Sequence, residues 1–188
     1  MPSNRSAAFL GRLEGWGPPT TRVRVDSAMR GGGPDRSPEP FEVRTWVKPG
    51  EPAIVATVGV SDHDPPEGGP AFELVWHIRA ELDADSSRAV QAFVASLAAY
   101  PFRHQRPFEK NAVVPVRVPL FPGCSAAWLT DGLSVQGQPR LARSFFHGGW
   151  VRVLDVTPIT DAERELRLRD GDAALAEVVG ALDWMAPR

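Results

Sequence analysis

The sequence holds one cysteine, Cys124, so no internal disulfide can form. A lone thiol fits a reducing compartment, and a cytoplasmic protein is expected. An excess of charge is lacking too: 21 Lys and Arg stand against 23 Asp and Glu, for a formal net charge of -2. Without a basic stripe, nucleic acid is not an expected partner. Long apolar runs are also missing. The longest, residues 53–60, has strand length and stops at Ser61-Asp62. That is far short of the roughly 20 residues of a membrane helix, so no membrane partner is expected. The start, Met1-Pro2-Ser3-Asn4-Arg5-Ser6, has no apolar core of the kind an export signal requires. Gly-x-Ser-x-Gly, Gly-x-x-x-x-Gly-Lys and Gly-x-Gly-x-x-Gly are all absent. With them go the common hydrolase and nucleotide signatures, and no cofactor or metal is implied.

What is present suffices for one core. A chain of 188 residues with 43% hydrophobic side chains and six Trp is expected to form a single domain over residues 1–188. Seventeen Gly and 19 Pro divide it into short pieces. Phe9, Leu10, Leu13 and Trp16 fall at helical spacing, and Gly15-Trp16-Gly17-Pro18-Pro19 stops the helix. Residues 30–40 carry almost nothing to bury and read as a flexible loop within the domain. Phe41, Val43, Thr45 and Val47 alternate with polar or exposed partners as a strand does, and residues 53–60 read as a strand covered on both faces. The turn Pro49-Gly50-Glu51-Pro52 joins these two as an antiparallel hairpin. A third strand places Phe72, Leu74, Trp76 and Ile78 on one face and Glu73, His77 and Arg79 on the other.

From Asp85 the period changes. Val90, Phe93, Val94 and Leu97 predict a helix over 86–99, ended by Tyr100-Pro101. Prolines interrupt residues 112–149, where a strand is expected near 126–129. Residues 150–156 are rich in β-formers, with Pro158 expected to end that strand. Thr160-Asp161-Ala162-Glu163 has the spacing of a capping box, and Glu163 with Arg167 and Glu165 with Arg169 stand at i, i+4. Gly171 breaks that helix, and Leu175, Val178, Val179 and Leu182 mark a last one over 173–184. The fold class expected is α+β, a mixed or antiparallel sheet covered by helices.

Three clusters carry candidate chemistry. Ser61-Asp62-His63-Asp64 is dense in metal-binding and proton-shuttling groups, but Ser and Asp before Pro65-Pro66 are ordinary turn formers. Cys124 is a candidate nucleophile with His104 or His147 as base, although a single cysteine is more often a small buried hydrophobe. Phe145-Phe146-His147-Gly148-Gly149-Trp150 suits a protein-binding hot spot, and equally a hairpin tucked on the core. Phe145, Phe146, His147 and Trp150 are the partner-binding candidates. Glu73, Glu81, Asp83 and Asp85 are expected on a solvated face.

The order of elements resembles a known family. Phe9-Leu10-Gly11-Arg12-Leu13-Glu14, the 53–60 strand, Phe72-Glu73-Leu74, Leu97-Ala98-Ala99-Tyr100-Pro101 and, above all, Val153-Leu154-Asp155-Val156-Thr157-Pro158-Ile159-Thr160-Asp161-Ala162-Glu163 carry the likeness. The chain is similar along nearly its whole length to the suppressor-of-fused domain family in its short bacterial form. That resemblance implies a non-enzymatic protein-binding module. Animal relatives hold a transcription factor in check with the help of a second, C-terminal lobe that these 188 residues do not include. Bacterial relatives are often immunity proteins of secreted toxins. The expected partner is therefore another protein, a toxin or a regulator, and the alternative is a hydrolase using Cys124 or the His63 cluster. An antiparallel sheet with proline-broken edges would accept a partner strand by augmentation.

Overall fold

The computed structural model describes residues 4–26, 40–131, 143–146, 149–181 and 185–186. The 30–40 loop, apart from its last residue, lies outside them. The sheet grows from the hairpin that the proline-glycine turn dictates. Strands β2 (Phe41–Trp46) and β3 (Ala53–Val58) pair antiparallel with Val43 opposite Thr57. Gly50 in their turn has φ +77, a conformation side chains disfavour. Strand β4 (Phe72–Ile78) lies antiparallel to β3. A strand not expected from the sequence, β1 (Thr21–Val25), covers the other edge of β2.

After β4 the chain crosses one face as helix α2 (Ala84–His104). Three strands follow: β5 (Val113–Pro115), β6 (Cys124–Thr130) and β7 (Arg143–Phe146). Strand β8 (Gly149–Thr160) then enters the sheet beside β4 and parallel to it. The order is β1-β2-β3-β4-β8-β6-β5, with β7 paired to the start of β8. The sheet is thus mixed, with eight strands.

Side-chain alternation builds a core on each face. Leu74, Trp76 and Ile78 of β4 and Leu154 and Val156 of β8 meet Phe93, Val94 and Leu97 of α2. Their neighbours Val75 and Val153 pack under Phe9 and Leu13 of helix α1 (Asn4–Leu13). Farther along that second face, Trp128 and Ile159 meet Leu175 and Val179 of helix α4 (Asp172–Ala181). Helix α3 (Asp161–Asp170) links β8 to α4, and the capping box at its start forms as its spacing predicts. Gly171, at φ +89, closes it.

Some boundaries differ from the sequence expectation. Helix α2 runs through Pro101 to His104, since Pro101 and Phe102 are buried and their packing offsets the lost helical bond. Strand β8 runs through Pro158. Strand β4 pairs only with residues 152–155 of β8, so near Pro158 the described sheet holds β8 from one flank by β6, where a missing donor is tolerated. Helix α4 begins at Asp172, one residue before the expected 173–184, whose end falls outside the described residues. In α3 Glu163 caps Thr160, Arg167 reaches Asp172 and Arg169 binds Asp170, while the charge of Glu165 acts on Arg169 as the i, i+4 spacing predicts.

Candidate partner-binding surface

The densest polar cluster is structural. Glu73 is fully buried, against the expectation of a solvated face. Its Oε2 accepts from Thr57 Oγ1 at 2.6 Å, and its Oε1 from Gly59 N at 2.9 Å, Ser61 N at 3.0 Å and Ser61 Oγ at 2.7 Å. Burial pushes its carboxyl upward, and these four donors pull against that rise. The turn so fixed presents Asp62, whose carboxylate accepts from Ser6 N at 3.0 Å and Ser6 Oγ at 2.8 Å. Arg5 adds bonds to Ser61 O and to Asp64. Ser61-Asp62-His63-Asp64 is therefore the joint between α1 and the β3–β4 connection. Among the described residues no group of three or more metal-ligating side chains comes together.

Two further titratable groups are equally enclosed. His77 is buried, with Nδ1 3.9 Å from Asp155 and the edge of Trp16 against its ring. Desolvation lowers its pKa to about 4, so the imidazole is neutral at pH 7 despite the nearby carboxylate. Cys124 is 3% exposed and packs in the α2-side core. A nucleophile needs access that this position denies. His104 lies against Tyr100 at the end of α2 with the two rings tilted, and His147 lies outside the described residues.

The aromatic segment 145–150 forms a hairpin. Phe145 stands opposite Trp150 and Phe146 opposite Gly149 in the β7–β8 ladder, and α1 runs beside β7. This brings Phe145, Phe146 and Trp150 to one hairpin, as the local composition suggests.

A surface that sequence reasoning missed lies at the other end of the sheet. Strand β1 and α2 enclose an open groove of about 470 Å³ lined by Val23, Val25, Ala92, Ala95, Arg88 and Arg103, with Gln91 and Ser96 between. Gln91 fixes its floor, donating to Thr21 Oγ1 at 2.7 Å and Thr45 Oγ1 at 2.9 Å. Arg88 and Arg103 are exposed at its two ends. On the opposite face of β1, Arg22 and Arg24 point to solvent, and Arg24 lines a second concavity of about 310 Å³ with Arg44, Glu42 and Asp62. Thr21-Arg22-Val23-Arg24-Val25 alternates as a strand should, so the signal was present in five residues.

Comparison with known proteins agrees with this architecture. No curated protein matches the chain. Solved structures do. A Neisseria gonorrhoeae FA 1090 protein described as a SUFU (suppressor of fused protein) homolog aligns with TM-score 0.64 and 15% identity over 97% of this chain and 93% of that one. Sufu from a Sufu–Fu complex aligns with TM-score 0.64 and 15% identity, covering 97% and 86%. Drosophila Suppressor of Fused gives 0.64 and 14%, and there the chain spans 48% of the longer protein. At such identities these structures establish the shared fold. The sequence model of the suppressor of fused protein family matches residues 38–184, and the chain belongs to that family.

Proposed function

We propose that the chain is a non-enzymatic protein-binding module. The observation that carries this reading is the open, largely apolar groove between β1 and α2, next to the first strand of the described sheet. Apolar concavities rimmed by charge are where proteins take up partners. The fold match to Sufu of the Sufu–Fu complex supports it, since that protein was captured with another protein. Burial of Cys124 and Glu73, and engagement of Asp62 by α1, speak against a hydrolase built on those groups. Within this reading the partner is a toxin neutralised by an immunity protein or a regulatory protein held in check, met in the cytoplasm. Phe145, Phe146, His147 and Trp150 form a second contact surface.

Affinity purification of the tagged chain from the cells that make it tests the reading. The purified partner and the chain, mixed again, are expected to co-elute from a sizing column in fixed proportion. Recovery of the chain alone, or loss of the cellular phenotype on Cys124→Ser or His63→Ala with partner binding intact, overturns it.

A further inference from the structure

We infer that β1 and its groove against α2 accept an extended segment of the partner whose side chains alternate apolar and acidic. This rests on the protein-binding reading and names the chemistry of the segment bound. As the first strand in the sheet order, β1 has one edge without a neighbouring strand in the described sheet, where every second residue turns its N–H and C=O outward. At the far end of the order, β5 is only three residues long and includes Pro115.

The pleat then dictates the pattern. Val23 and Val25 face α2, and Arg22 and Arg24 face the other way. A strand added beside β1 repeats this alternation, so one set of its side chains enters the groove over Ala92, Ala95 and Ser96 and must be apolar. The other set lies beside Arg22 and Arg24. Of the acids near this edge, Asp62 is held by Ser6, and Asp26 follows β1 as one negative charge against the two positive charges of Arg22 and Arg24. Glu42, the cross-strand neighbour of Arg24, holds Arg44 at 2.8 Å. Arg88 pairs with Asp85, but the two side chains are 72% and 86% exposed, and such a pair exchanges readily for a better partner. Positive charge is left over on both faces, and an acidic segment complements it. Along α2, Arg88 and Arg103 stand about 22 Å apart at 1.5 Å per residue, the length of about seven extended residues.

The test selects displayed random dodecapeptides on the full chain, then measures synthetic copies by fluorescence anisotropy. Enriched peptides are expected to be acidic with alternating apolar residues. Their affinity is expected to fall about tenfold on Arg88→Glu with Arg103→Glu, to fall with added salt, and to fall similarly on Ala92→Trp, which fills the groove. Arg88, Arg103 and Ala92 are exposed, so the fold is retained, as far-UV circular dichroism checks; Arg22→Glu with Arg24→Glu repeats the charge readout on the other face. A selection that yields no peptide, peptides without acids, or peptides whose affinity all these variants leave unchanged overturns the inference. Natural-partner capture that survives all the variants overturns it too, yet leaves the protein-binding reading standing, so the two fail separately.

Discussion

Glu73 joins four donors from three positions of the chain, and each of them is buried with it. Glu73→Ala leaves those donors without an acceptor, and a loss of about 3 kcal/mol or more is expected in urea denaturation. Glu73→Gln keeps one oxygen but turns an amide toward the Thr57 hydroxyl, and about half that loss is expected. His77 supplies a pH signature. Its folded pKa is lowered from 6.5 to about 4, so its contribution is complete above the unfolded value and drains away as pH falls through 6.5 toward 4. Between pH 7 and pH 5 the protein is expected to lose about 2 kcal/mol more than a His77→Gln variant, read from denaturation midpoints at the two pH values. Neither role was legible in the sequence. The strand period correctly separates Glu73 and His77 from Trp76, but whether that second face is wet depends on α1, whose contact with it comes from residues more than 50 positions away.

At the scale of elements, local signals were strong wherever a side chain completes the backbone of its own segment. The capping box is such a case: Thr160 Oγ1 accepts from Glu163 N at 3.2 Å, and the Glu163 carboxylate accepts from Thr160 N at 2.7 Å. Thr160→Ala is expected to cost about 1 kcal/mol, measured by thermal unfolding, while Thr160→Ser costs only a few tenths. The β2–β3 hairpin was legible for a similar reason, since its turn chemistry lies within four residues. Proline signals misled at both Pro101 and Pro158. Proline removes a donor and restricts its neighbour, but tertiary packing of Phe102 and the one-sided pairing of β8 near Pro158 set the outcome. Strand β1 was missed although its five residues alternate, because so short a stretch between a proline pair and a glycine-rich run is a weak signal until its pairing with β2 is seen.

For the molecule as a whole, the three apolar clusters share strands instead of standing apart. Strand β8 contributes Leu154 and Val156 to one, Val153 to the second and Ile159 to the third. Loss of any cluster withdraws a strand that the others need. Unfolding is therefore expected as one transition, with tryptophan fluorescence and far-UV circular dichroism giving superimposable curves in urea. Separated midpoints would show that the α4 end melts independently. The sheet order itself was beyond sequence reading, because the pairing of residues 72–75 with 152–155 is a meeting of two apolar runs that carries no mark of its own.

That pairing also governs how the protein is made. Strand β4 emerges from the ribosome with the edge that β8 will cover still unpaired, and its parallel neighbour is complete only at Thr160, 82 residues after Ile78 (160 − 78). At about 5–20 residues per second the nascent half-sheet waits about 4–16 s for its centre. Throughout that interval the β4 edge is sticky toward other nascent chains, so yield in the cell depends on translation speed and chaperone supply as well as on the stability of the finished fold.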